Sequence, residues 1–415
     1  MPASNPTCDV TVLGAGVVGM ATAWAAARRG LSVEIVDRAS GPAQGASFAN
    51  GAQLSYAYTD AMAGPSLWKQ IPGLLTGSDP AFRIRLTGNP SIWRWGVSLL
   101  ANATSRRLRR NTLRTLHLAQ ASQKAMQSML DRHPFDFQHR VAGKLHLYFS
   151  DAALQAGTAM LELKRPYGVK QQLLALHEAV AIEPALAQVP GIRGVVYSPE
   201  EAVGDPWRFS AGLLDTMCGR YPVQTRFGFD IESIQRRGPH WMLRSREGDV
   251  AHARRLIVCT GVESVALLRQ LGIRTPLMSI KGYSLTAPCG PRAPTISITD
   301  TARKLVFCRL GNNMRIAGMA DINDWDPAVS DERFEQFLAL ARQSLPEAAD
   351  YSRILDRWAG LRPSTPDSVP IIANVREGLT CNIGHGMFGW TLAMGSAEQA
   401  VALALGEEGA RAWPS

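Results

Sequence analysis

Cysteine is scarce in this chain and poorly placed for cross-linking: Cys8, Cys218, Cys259, Cys289, Cys308 and Cys381 lie far apart, and no two make a CxxC pair. That spacing argues against a disulfide framework and against a thiolate zinc site, so no bound metal is expected. Long apolar runs are missing as well. The longest, around Val17 to Ala27, is too short and too interrupted to span a bilayer. The opening MPASNPTCDV has no basic segment followed by an apolar one, so no secretory signal is read and a cytoplasmic location is expected. Repeats and low-complexity tracts are absent. No zinc-finger, RNA-recognition or basic-zipper pattern accompanies the formal charge of +9, so nucleic acid is not an expected partner.

What is present is a chain of 415 residues, 46% hydrophobic and 19% charged, enough for a large core divided between two domains. Its densest basic stretch, Arg106, Arg107, Arg109, Arg110 and Arg114, follows Trp93, Trp95 and the apolar Val97 to Leu100. One reading is a solvated helix face with arginine stems lying on apolar neighbours. The other is a peripheral contact with a membrane, at the inner face of the cytoplasmic membrane, where basic and aromatic residues act together.

Val10, Val12 and Leu13 read as a buried strand leading into Gly14-Ala15-Gly16-Val17-Val18-Gly19, a GxGxxG turn. Alone the motif is weak, since chance supplies about one match in every three or four chains of this composition. Its context is complete: an alanine-rich helix to Arg29, a stop at Gly30, then a strand through Leu31, Val33, Ile35 and Val36 ending in Asp37 and Arg38. Gly14 permits the tight turn, Gly16 admits a pyrophosphate to the backbone, and Gly19 lets the helix pack on the strand. Asp37 suits a ribose hydroxyl pair and opposes a 2′-phosphate, a preference that Arg38 weakens. NAD and FAD share this grip, so the motif does not choose between them.

The rest of the chain resembles the FAD-dependent D-amino-acid oxidase superfamily, nearest to its branch of bacterial D-amino-acid dehydrogenase small subunits. The likeness runs through VLGAGVVGMATAW, GASFANGAQLS at Gly45 to Ser55, AIEPAL near Glu183, GDP at Gly204 to Pro206 and IVCTG at Ile257 to Gly261. It continues in IKGYSLT from Ile280, WAGLRPSTPDSVPII from Trp358 and NIGHGMFGWTLAMGS from Asn382. The resemblance implies an α/β fold, with a Rossmann-type FAD-binding domain of the glutathione-reductase kind and a mixed-sheet substrate domain. It implies that Ser47, Asn50, Gly51 and Gln53 lie along the pyrophosphate and isoalloxazine of FAD, with Thr260 and Gly261 at the ADP half. The glycine-lined stretch Gly384, His385, Gly386, Met387, Phe388, Gly389 runs into a helix beginning at Trp390 and Thr391, whose N-terminus suits negative charge on a reduced flavin. The domains are expected at 1–85, 151–275 and 346–415 for FAD, and at 86–150 and 276–345 for the substrate.

At the reacting end, Pro363 and Pro366 stiffen the chain around Arg362. By resemblance this arginine binds the substrate carboxylate, a task its planar fork suits. Tyr283 is a second candidate, as a phenolic partner of the carboxylate or a wall, and Tyr56 and Tyr58 are candidates for a lid. His385 is either a catalytic base or a structural donor, and Met387 and Phe388 are pocket lining or core. The implied activity is oxidative deamination of a D-amino acid by hydride transfer to flavin N5, giving a 2-oxo acid and ammonia. Only the neutral amine can assist, so activity is expected to rise with pH. The alternatives are an oxidase or dehydrogenase of glycine, sarcosine or a cyclic imino acid such as D-hydroxyproline, and, in another class, a non-enzymatic flavin-binding protein. No second GxGxxG unit offers an NAD(P)H site, so the electrons should pass to a quinone or other carrier, or to oxygen. Leu361 to Ile372 contains no cysteine, and FAD is expected to be non-covalent.

Overall fold

Val10–Leu13, buried at all four positions, lies within a six-stranded sheet. A strand covered on both faces is a continuous apolar run rather than an alternation, which is why this segment reads as it does. It pairs in parallel with Val33–Val36 on one side and Leu256–Val258 on the other. Val223–Arg226 and Leu379–Ile383 extend the parallel set, and Ile371–Arg376 adds an antiparallel edge. The structure, a computed structural model, describes residues 8–77 and 79–407.

Between the first two strands runs the helix Val17–Ala27, with ten of its eleven residues buried. It packs against the last helix, Gly389–Leu405, and both share a core with Phe137, Phe209 and Met217. A helix enclosed on every side has no polar stripe, and this enclosure accounts for the longest apolar run in the sequence. The expected Rossmann-type α/β unit is present.

The second layer is a nine-stranded mixed sheet. Asp356–Ser364 forms one edge, followed by Met278–Pro288, Asn313–Ile322, Leu305–Leu310, Ser297–Asp300, Lys144–Tyr148, Gly194–Ser198 and Gln172–Leu174, with Phe82–Ile84 paired to Asn313–Ile322. Strands at 172–174, 194–198 and 356–364 therefore pair into this sheet, although the sequence reading assigned those stretches to the FAD-binding part. Such short segments are placed by long-range pairing and not by local pattern. One face of the sheet packs on Phe334, Phe337 and Leu338 of the helix Asp331–Ser344. The other face looks across a cavity toward the first sheet.

Helices Leu67–Thr76, Pro90–Asn102 and Ser105–Arg132 form a flank of the molecule. Asn89 and Thr104 cap the second and third, accepting from the N–H groups of Ser91 and Arg107. Arg106, Arg107, Arg109 and Arg110 are exposed on the third. No helix among the described residues is long and apolar enough to cross a membrane.

Candidate functional site

One cavity of about 2560 Å³ runs from the glycine turn to Arg362 and is lined by residues of both sheets. Its volume exceeds the roughly 300 to 1,000 Å³ of an ordinary small-ligand pocket, leaving space for an extended ligand and a second molecule.

At the first strand's end Gly14 has φ +103, and a Cβ on Gly19 would lie 1.7 Å from the carbonyl oxygen of Gly14. These two glycines serve the packing of the chain on itself. Gly16 differs: a Cβ there would meet only Ser47 Oγ at 3.5 Å, so its bare backbone faces the cavity. Ser47 Oγ accepts from the N–H of Val17, and Asp37 accepts from the N–H groups of Ala15 and Ala39 at 2.5 and 2.8 Å. The carboxylate thus ties the second strand to the glycine turn while lining the cavity. Arg38 pairs with Glu263 at the rim, 2.6 Å away, both exposed. Thr260 Oγ1 is 2.8 Å from Ser264 Oγ, and Gly261 turns the chain at φ +58.

The segment Gly45 to Ser55 is wedged between the sheets. Ser284 donates to the carbonyl of Ala49, Arg315 to that of Asn50, and Gln53 Nε2 to Ser297 Oγ at 2.6 Å. Asn50 Oδ1 accepts from the N–H of Ala52, and Gly51 has no room for a side chain beside Val306. Gln53 is therefore occupied with the sheet, while Ser47, Asn50 and Gly51 line the cavity beside it.

The last helix begins at Gly389 with no side-chain cap and no acidic residue in its first turn, and that end lines the cavity. Its open amides carry partial positive charge. Gly384 and Gly386 turn the approach at φ +81 and +55. Thr391 Oγ1 accepts from the N–H of Ser55. The indole of Trp390 donates to the carbonyl of Gly204 and packs on Phe137 and Phe209, and the residue lines the cavity at the start of the helix. His385 is buried with Nε2 3.0 Å from Ser396 Oγ, and burial pushes its imidazole down to about 3. It is neutral at neutral pH and a poor proton acceptor. Phe388 is in the core and Met387 is exposed at the rim.

Arg362 projects from the edge strand, with Nη1 donating to the carbonyl of Met319 at 2.9 Å. Among the described residues no carboxylate lies within ion-pair distance of it. Burial pushes its guanidinium down to about 10 against the opposing pull of Asp321, so it stays charged at neutral pH. Tyr283, expected as a phenolic partner of the carboxylate or a wall, is among the residues lining the cavity. Its ring also packs in a core with Leu285, Phe307 and Phe334. There its hydroxyl is 3.4 Å from Asp321, and burial, then Asp321, raise it to about 12. Asp321 is fully buried and also holds Arg333 and Arg83. Tyr56 lies in the core, and the ring of Tyr58, which lines the cavity, is tilted against His146 with 4.1 Å between centroids.

Sequence reasoning missed a buried basic wall. Lys144 donates to Ser55 Oγ at 2.7 Å and stands over the ring of Tyr58, with Lys164 on the same ring and paired with Asp60. Glu201 nearby accepts from the N–H groups of Tyr56, Ala57 and Tyr58. Burial pushes Lys144 down to about 8. A lysine at the start of the buried strand Lys144–Tyr148 is the signal that could have marked it.

The glycine turn, the open amides of two helix N-termini and the bare backbone of Gly45 to Ser55 line one cavity, and this donor set suits a dinucleotide carrying a flat ring. A family model described as FAD dependent oxidoreductase (DAO) matches residues 9–403. The D-amino acid dehydrogenase 2 of Ralstonia nicotianae is 37% identical over 407 residues, covering 94% of each chain. The D-amino acid dehydrogenase of Paramagnetospirillum magneticum is 35% identical over 392 residues, 93% of this chain and 92% of that one. Among solved structures, glycine oxidase from Geobacillus kaustophilus superposes with a TM-score of 0.75 at 17% identity, covering 97% of this chain and 95% of that chain, a likeness of fold.

Proposed function

This chain belongs to the DAO family of FAD-dependent oxidoreductases, and from that premise we propose that it oxidises the Cα–N bond of a D-amino acid, the product hydrolysing to a 2-oxo acid and ammonia. The observation that carries the reading is Arg362: a charged guanidinium on the cavity wall, held by one backbone carbonyl and lacking a carboxylate partner among the described residues. A half-buried fork of this kind suits an anion, and an amino acid's carboxylate supplies one with two parallel hydrogen bonds.

Bound FAD supplies the two-electron acceptor for the oxidation. The turn Gly14 to Val17 with Asp37 would hold its ADP half, Gly45 to Gln53 its middle, and the open first turn of the last helix the ring edge. Arg362 anchors the substrate by its carboxylate and so limits which hydrogens can face the ring. The substrate amine must be neutral to assist. No group near pH 7 is offered by His385, so its proton leaves to water and activity rises with pH. The name dehydrogenase carried by the relatives supports a quinone or other carrier, in preference to oxygen, as final acceptor. The test is anaerobic mixing of the FAD-loaded protein with D- and L-amino acids, glycine, sarcosine and cyclic imino acids, following flavin absorbance. Bleaching by D-amino acids is expected. Bleaching by L-amino acids or imino acids alone, or by none of the panel, would overturn the assignment.

A second feature favours contact with a membrane. Residues 80–130 hold nine arginines and lysines and no acidic residue. Trp68, Trp93 and Val97 are exposed on the same flank, where Trp68 reaches the carbonyl of Ala103. Leu67, Lys69, Arg94 and Trp95 also line the cavity, so an apolar carrier could enter from this side. Co-sedimentation with vesicles containing anionic lipid, weakened by Trp93→Ser and by salt, is expected. Equal recovery with neutral and anionic vesicles would remove the idea.

A further inference from the structure

Arg362 has a long, flexible side chain, yet two features of the neighbouring strands leave it one place to lie. In the register of the sheet Gly282 pairs with Gly360, and Ile280 pairs with Arg362. On the far side of Met278–Pro288 the pairing slips: Lys281 faces Asp321 and Tyr283 faces Gly318, so Met319 and Ala320 together oppose Gly282. This is a β-bulge, and bulges re-aim the groups they carry. Met319 takes up φ +61, the left-handed region that a side chain resists. In that conformation its carbonyl accepts from Arg362 Nη1.

The second feature is a missing atom. A Cβ on Gly282 would lie 2.0 Å from Arg362 Nη2, 2.3 Å from Cζ and 2.7 Å from Nη1, so the guanidinium lies against bare backbone. Gly360 beside it is bare for a similar reason, since its Cβ would fall 1.9 Å from the ring of Trp358. Bulge and glycine meet at one point of the sheet, and Arg362 is seated there.

We propose that Gly282 and Met319 are positioning residues that form a backbone seat for Arg362, fixing its fork for the substrate carboxylate. The inference rests on the reading of Arg362 given above. The seat removes side-chain freedom before the substrate arrives, so less is lost when two hydrogen bonds form. The strain at Met319 persists because the flanking pairs of a long strand hold the bulge in place.

The experiment uses the FAD-loaded protein and titrates acetate and propionate, carboxylates without an amine, by their perturbation of the flavin spectrum. Gly282→Ala is expected to weaken both at least tenfold and to raise KM more than it lowers kcat, with flavin content unchanged. Met319→Gly and Met319→Val both remove the long side chain. Glycine adopts φ +61 freely and should keep the affinity, whereas the β-branched valine resists it and should lose affinity. In an Arg362→Lys background, where no fork lies across the glycine, Gly282→Ala should cost nothing further. Wild-type affinity in Gly282→Ala, an equal loss in the lysine background, or equal affinities of the glycine and valine variants would each overturn the seat. Unchanged carboxylate binding in Arg362→Ala would instead overturn the role of Arg362, and the two failures are distinct. Should Gly282→Ala not fold, the Met319 pair decides alone.

Discussion

With a substrate carboxylate bound at Arg362 as proposed, both charges would be removed from bulk water, and losing one member would leave the other unpaired. Arg362→Ala should weaken carboxylate capture by about 2 to 5 kcal/mol, read as a rise in KM or in the dissociation constant of propionate, with FAD still bound. Two other buried groups make pH predictions. His385 is held at about 3, below its ordinary 6.5, so it is neutral in the folded chain. Between those values the unfolded chain takes up a proton that the folded one refuses; stability present above pH 6.5 is therefore lost as pH falls toward 3. Lys144 is depressed from 10.5 to about 8, and the same sign applies: its contribution is complete above pH 10.5 and declines as pH falls to about 8. Urea unfolding across pH should show a flatter acid limb for His385→Gln and a flatter alkaline limb for Lys144→Met. Parallel curves for variant and parent would contradict these burials.

Among the elements, the βαβ unit at the N-terminus is the tightest. The helix Val17–Ala27 approaches its strand so closely that Gly19 touches the carbonyl of Gly14, and no rotamer change relieves an added Cβ at 1.7 Å. Gly19→Ala must shift backbone, and a cost of at least about 2 kcal/mol is expected. It should be seen as a lower melting temperature together with loss of flavin from the purified protein. The same closeness made this element readable, because strand, turn, helix and Asp37 follow one another in the chain and each leaves a local pattern. The nine-stranded sheet left much less. Its strands at 172–174, 194–198 and 356–364 come from stretches read as belonging elsewhere, and its bulge at Met319 has no signature in residue type.

For the molecule as a whole, the cavity is a seam between two sheets, and whatever fills it joins them. Cys259, beneath the nucleotide turn and bonded to Thr22, is the one cysteine lining the seam among the described residues. FAD should accordingly be released in full by acid precipitation. Flavin that stayed with the pellet would show a covalent link. Because folded protein alone binds the cofactor, free FAD at a hundredfold excess over its dissociation constant should add about 2.7 kcal/mol to stability, measured as a rise in melting temperature over the flavin-free form.

By itself the sequence determined the nucleotide turn, the apolar enclosure of its helix and, through resemblance, the family. These are properties of consecutive residues, where spacing alone decides which atoms meet. Tertiary structure decided that the Tyr283 hydroxyl meets Asp321, that Arg362 donates to the carbonyl of Met319, and that Lys144 and Ser55 touch across 89 positions. Each depends on strand register, and a shift of one residue exchanges the two faces of a strand without altering a letter of its sequence.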